Sequence, residues 1–224
     1  MDAQHDADLY LALRNAILRG DYAFGSRLKI DEIARRFGVS HMPVRKALTQ
    51  LSGDRLVTIA RNRGASVRSV DLQAVGNIYD VVIPLESLLA RRAAERADDG
   101  LLHALMRVEA EFEDAAARLD HLAAALINQR LHEIIGEHSG NPDAADIVNR
   151  NQEVLRAIRR MYGFDGTRLP GVISDHRALI SAFRERDAES AAAIGAGHAA
   201  KARSDLIATI RGCAPPMTRP GGSP

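Results

Sequence analysis

Tryptophan is absent from these 224 residues, aromatics supply only 4%, and there is a single cysteine, Cys213, near the C-terminus. One thiol excludes a disulfide framework and a thiolate metal cluster. With aromatics scarce and Ala, Leu, Arg and Ile abundant, packed helices are expected rather than a β-sandwich. No apolar run approaches the roughly 20 residues that span a bilayer. The opening MDAQHDADLY is too acidic and polar for a secretory signal. These absences point to a cytoplasmic protein with no membrane partner. What is present is a 46% apolar content, enough to bury a core, in a length that suits two modest domains.

The net charge of +1 hides an asymmetry. Residues 1–70 hold 12 Lys/Arg against 7 Asp/Glu, a balance of +5, whereas the remainder holds 18 against 22, a balance of −4. A basic module tethered to a mildly acidic one suits contact with a polyanion at one end only.

Apolar spacing predicts a first helix from Asp6 to Arg19, ended by Gly20, and a second from about Asp31 to Phe37. Gly38 provides a tight turn, Val39 plugs the core, and Ser40 is placed to cap a third helix that runs to about Leu51, with Pro43 in its first turn. Two short β-like runs follow, Leu56–Ile59 and Ala65–Arg68, around the basic turn Arg61-Asn62-Arg63-Gly64. This is the order of a winged helix-turn-helix, placed in residues 1–69. From Val70 the pattern is helical, with segments near 71–97, 101–118, 121–139, 142–162, 172–186 and 188–211, and a kink expected at Pro84. The fold class expected is mainly α: the winged helix-turn-helix, then an all-α antiparallel bundle over 70–211. Residues 212–224, GCAPPMTRPGGSP, read as a disordered tail.

Between Ile33 and Leu51, apolar residues at 33, 34, 37, 39, 44, 47, 48 and 51 pack the two helices together. The outer face carries Arg35, Ser40, His41, Met42, Arg45 and Lys46. A recognition helix presents its first turns to base edges in the major groove, while longer basic side chains take phosphates. Arg45 suits a bidentate guanine contact. Ser40 and the helix N-terminus favour a phosphate oxygen, and Arg61, Arg63 and Gly64 at the wing tip suit the minor groove. A solvated basic face is the plainer alternative.

The stretch IARRFGVSHMPVRKALTQLSGDRLV, with RNRGASV after it, resembles the winged helix of the GntR family of transcription regulators. That family usually has Arg where His41 stands, Glu where Lys46 stands, and a Gly before Leu56. The operator sequence of typical members therefore does not carry over.

In the helical part, Asn128 and His132 are four residues apart on one helix face, while His176 and His198 lie on two later helices. Side chains from facing helices can converge inside a bundle. Three imidazoles and one oxygen suit zinc, nickel, manganese or iron; exposed or merely hydrogen-bonded histidines are the alternative. Residues 72–211 resemble the FCD ligand-binding domain of the FadR-like GntR regulators, through Leu131-His132-Glu133, Gly140-Asn141-Pro142, Asp175-His176-Arg177-Ala178-Leu179 and Asp187. Metal-binding members use an Asp and three His at these positions. The resemblance thus implies a divalent metal on Asn128, His132, His176 and His198, with the Asp replaced by an amide. It also implies a homodimeric repressor on operator double-stranded DNA, released by a small-molecule effector, with an organic acid as the expected class. Many members hold a carboxylate with an Arg one turn before the position of Glu86, where this chain has Val82. Arg156, Arg159 and Arg160 are candidate substitutes, but a solvated helical face is the reading expected for them. No residue is assigned to the effector, and His5, His103, His121 and His138 read as surface residues.

The competing function is a metal-dependent hydrolase or other metalloenzyme with a merely structural helix-turn-helix. Against it, no carboxylate is spaced in the sequence as a general base beside those histidines, and there is no Gly-rich phosphate loop or nucleophile elbow.

Overall fold

The computed structural model describes residues 2–61, 63–163 and 166–213. Helix α1 spans Asp2–Arg19, four residues longer at its start than the periodicity suggests. A two-residue strand β1 (Arg27–Leu28) follows, then α2 (Ile30–Phe37), α3 (His41–Gly53) and the wing strands β2 (Val57–Ala60) and β3 (Gly64–Val67). The strands form one antiparallel sheet in the order β1-β3-β2, with Leu28 opposite Ala65 and Val57 opposite Val67. Strand β1 was read from sequence as loop, because two residues carry no periodicity.

The turn between α2 and α3 follows from its residues. Gly38 adopts φ of 67°, and its amide and that of Val39 close back on the Ala34 carbonyl, a left-handed termination that glycine accepts without a Cβ clash. Ser40 occupies the position before α3 with extended backbone, but its hydroxyl makes no capping hydrogen bond. The expected cap is thus present as geometry only, and the first-turn amides of α3 remain open to an outside acceptor.

Helices α4 (Leu72–Glu95), α5 (Asp99–Ala117), α6 (His121–His138), α7 (Pro142–Tyr162), α8 (Leu169–Glu185) and α9 (Ala188–Gly212) build the rest. Five start on a side-chain cap: Asp71, Asp98, Asp120, Asn141 and Asp187 accept from the amides of Ala74, Leu101, Ala123, Ala144 and Ser190, each worth about 1 kcal/mol. Helix α4 continues through Pro84. The segment 163–171, read as a loop, instead holds a 3-10 turn (Gly166–Arg168) and the first turn of α8, where Pro170 costs no hydrogen bond. Residues 214–224, most of the expected tail, lie outside the described residues, and Cys213 donates its thiol to the Tyr162 carbonyl. No described helix is long and apolar enough to cross a membrane.

Helices α4 and α9 form the most extensive pairing in the molecule. Gly195 makes it possible: a Cβ there would sit 3.1 Å from the Ala90 methyl and 3.2 Å from the Glu86 carbonyl oxygen. One continuous apolar cluster includes Leu13, Ile33, Leu51 and Val67 of the winged helix together with Tyr79, Val82, Leu155, Ile158 and Leu206 of the bundle. Helix α7 joins the two parts further. Glu153 pairs with Arg14 of α1, and Arg160 donates to the Leu18 carbonyl at 3.3 Å.

Candidate functional site

His132 on α6, His176 on α8 and His198 on α9 converge inside the bundle, each offering a ring nitrogen within 4.8 Å of the other two. Their ring centroids are 5.2 to 6.4 Å apart. Each ring is held from behind by a carboxylate on Nδ1: Glu86 at 3.2 Å from His132, Glu109 at 2.7 Å from His176, and Asp175 at 3.3 Å from His198. A carboxylate on Nδ1 fixes the tautomer with the proton there and turns the Nε2 lone pair toward the shared centre. The Glu86 carboxylate accepts in turn from Gln152 at 3.2 Å, and that of Asp175 from Lys201.

Burial decides the charge states. It pushes His198 down to about 4 despite Asp175, and it lowers His176 against the pull of Glu109. Both rings are therefore neutral near pH 7, the form that ligates metals. For His132, burial opposes the charge, but the neighbouring Glu86 prevails and raises it. Asp175 is held down at about 2, first by its hydrogen bond with His198. Among the buried side-chain atoms without any hydrogen-bond partner are His176 Nε2 and Asn128 Oδ1. Buried lone pairs without a donor are costly unless something accepts them, and His132 and His198 line both the cavity that Asn128 borders and the smaller one that His176 borders. Two neutral imidazoles, a third on His132 that gives up its proton to ligate, and an amide oxygen fit a divalent cation of the zinc, nickel, manganese or iron type.

Glu86, Glu109 and Asp175 were not assigned from sequence, and the structure corrects the statement that no carboxylate stands beside these histidines. A signal existed. Glu86 follows Val82 by one turn on the buried stripe of α4, and Glu109 lies between Leu105 and Phe112 on that of α5; acids rarely stand on such stripes unpaired. Glu109→Gln would keep the size but remove the charge that orients His176. The expected result is a loss of about 10–100-fold in metal affinity, measured by competition with a chelating dye; unchanged affinity would show that Glu109 does not orient the ring.

The cluster opens into a cavity of about 110 Å³ whose lining includes Asn128, Gln152, Arg156, Arg159 and Arg168. Arg156 and Arg159 are thus half-buried in the cavity wall rather than on a solvated face, while Arg160 is exposed. They were misread because a helical arginine gives no sign in sequence of which side a cavity will form. His121 also lines the cavity, half-buried, and His138 is half-buried beside Arg96; only His103 of the described surface candidates is exposed. The His5 side chain lies outside the described residues.

At the other end of the molecule, Arg35, Ser40, His41, Met42, Arg45 and Lys46 are exposed on or beside α2 and α3, as are Arg61, Arg63 and Gly64 at the wing. Met42 is 62% exposed, unusual for so apolar a side chain. His41 Nε2 lies 3.0 Å from Asp31, and Gly64 takes φ of 78° at the wing turn.

A basic winged helix joined to a helical bundle with a polar cavity is the build of a DNA-binding regulator that carries its own ligand sensor. Residues 6–67 match the gntR family of bacterial regulatory proteins, and residues 77–201 match the FCD domain. The chain belongs to the GntR family, with an FCD effector-binding domain behind its winged helix. The HTH-type transcriptional regulator YdhC of Bacillus subtilis strain 168 is 26% identical over 183 residues, which is 81% of this chain and 82% of its own. The galactonate operon transcriptional repressor of Escherichia coli K12 is 25% identical over 205 residues, 82% of this chain and 88% of its own. In fold, E. coli McbR/YncC superposes with a TM-score of 0.75 at 18% identity over 92% of this chain and 98% of its own. These are transcription regulators, and the metalloenzyme alternative finds no support.

Proposed function

We propose that this chain is a repressor that binds operator DNA as a homodimer and lets go when a small organic acid enters the bundle beside a divalent metal. In this reading residues 1–69 read the DNA, and residues 70–211 sense the effector and carry the dimer contact. The observation that carries it is the set of three carboxylate-backed histidines facing one centre and opening into an arginine-lined cavity. Asn128, His132, His176 and His198 would hold the metal, which would supply a Lewis-acidic position for an oxygen of the acid. Asn128 contributes no charge, so binding is weaker than with a carboxylate there. Arginines in a cavity of low dielectric favour an anionic guest.

At the DNA end, Arg45, one turn into α3, is assigned to a base edge. His41, Met42 and Lys46 are assigned to the rest of the groove contact, Ser40 and Arg35 to the phosphate backbone, and Arg61, Arg63 and Gly64 to the minor groove. A two-fold dimer would set one winged helix on each half of a palindrome. The test is selection of preferred duplexes from a random pool with the purified metal-loaded protein, followed by binding to the selected site with and without small acids. Arg45→Ala is expected to cost about 1–3 kcal/mol and to relax base preference; equal affinity for the selected site would remove Arg45 from the interface. Binding should also fall steeply with salt. Failure to prefer any duplex over the pool would end the reading.

A further inference from the structure

The cavity beside the imidazole cluster contains three guanidinium groups, and two are already engaged. Arg159 donates to the Tyr79 hydroxyl at 2.7 Å and to the Ala202 carbonyl at 3.1 Å. Arg168 pairs with Asp205 at 2.8 Å. Arg156 lines the same cavity, half-buried, and no hydrogen bond or ion pair to it is found among the described residues. A half-buried guanidinium with no acceptor is an expense for the fold unless a ligand supplies one. Burial lowers its pKa, opposed only in part by the more distant charges of Glu153 and Glu133, neither of which is hydrogen-bonded to it.

Its place along α7 sets the scale of the missing partner. Arg156 follows Gln152 by one helical turn, about 5–6 Å on the same face. Gln152 bonds Glu86, and Glu86 bonds His132. A ligand with one end at the imidazole cluster and the other at Arg156 is therefore short. The cavity of about 110 Å³ is smaller than the roughly 150 Å³ that takes up one benzene, which favours a small guest. A planar guanidinium presents a fork that fits a planar carboxylate with two parallel hydrogen bonds.

We propose that the cavity takes a short dicarboxylic acid, one carboxylate at the imidazole cluster and its metal, the other clasped by Arg156. This rests on the metal-linked, acid-sensing reading above and names the class of acid and the residue that selects it. It also moves the carboxylate clamp from the first bundle helix, where this chain has the buried Val82, to α7.

The experiment is calorimetric and thermal titration of the full-length, metal-loaded protein with pairs of equal chain length: malonate against propionate, succinate against butyrate, and malate against 3-hydroxybutyrate. At least one diacid is expected to bind roughly tenfold to a hundredfold more tightly than its monoacid partner, the return for one charge-assisted pair. Arg156→Gln is expected to erase that difference by weakening the diacid far more than the monoacid, with the metal stoichiometry as it was. Arg156→Lys, which keeps the charge but not the fork, is expected to recover it in part. Since Arg156 supports no other side chain and its unpaired charge is an expense, the glutamine variant should melt at or above the wild-type temperature without ligand. If no diacid exceeds its partner, or if Arg156→Gln keeps the preference, the inference is overturned even though metal binds. A wild-type protein that takes up no metal would instead overturn the reading on which it rests.

Discussion

Purified protein carrying both His132→Ala and His176→Ala is expected to contain no stoichiometric transition metal, whereas the unaltered protein is expected to load one ion per chain. Two of three imidazoles would be gone, leaving His198 and the uncharged Asn128 oxygen, too few donors for a tight site. The fall in affinity should exceed about a thousandfold, since each ligand removed costs more than the tenfold to hundredfold of an outer-shell change. Elemental analysis after gel filtration reads the content, and a chelator titration reads the affinity. The double variant should remain folded, because removing His176 also removes a buried nitrogen without a partner, although the buried Glu86 and Glu109 lose their imidazole partners. Circular dichroism provides the control. A folded double variant that still holds one ion per chain would place the metal elsewhere.

The second large effect is expected at Phe112. Its side chain is 2% exposed, packs with Ala115, Ala124 and Val172, and lies tilted against the His176 ring with centroids 5.1 Å apart. Phe112→Ala would open a cavity there at a cost of about 3–5 kcal/mol, which in a chain of this size lowers the melting temperature by roughly 10 °C. It should also weaken metal binding, though less than loss of a ligand, because His176 would keep Glu109 but lose the wall that limits its ring. Excess zinc should then recover part of the melting temperature by mass action. A variant that melts within a degree or two of the parent would show that the bundle closes over the gap.

The winged helix was legible in sequence because each of its devices has a local cause. Gly38 makes the turn, Pro43 marks the start of α3, and the buried positions of α2 and α3 recur at helical spacing. Asn128 and His132 were legible as a pair because they share a helix. The carboxylates behind the rings were not, since His176 and Glu109 are 67 residues apart and His132 and Glu86 are 46 apart. Nothing local joins them; only the packing of α4, α5, α6 and α8 does. Asp175 is the instructive case, for it precedes His176 in the chain yet serves His198. Arg156 and Arg159 failed for a related reason: their helix has a polar side facing inward, and hydrophobic periodicity assumes that polar means outward.

Helix α7 faces two ways. Gln152 and Arg156 look into the cavity, while Glu153 and Arg160 hold α1, and Leu155 shares one solvent-free interior with Leu13. No hinge of water-filled space separates the half that meets DNA from the half that tastes metabolites. In evolution the two are consequently bound together: a substitution that retunes what the chamber accepts presses, through packed carbon, on the seat of the first helix. A change of inducer is thus expected to alter the grip on the operator as well.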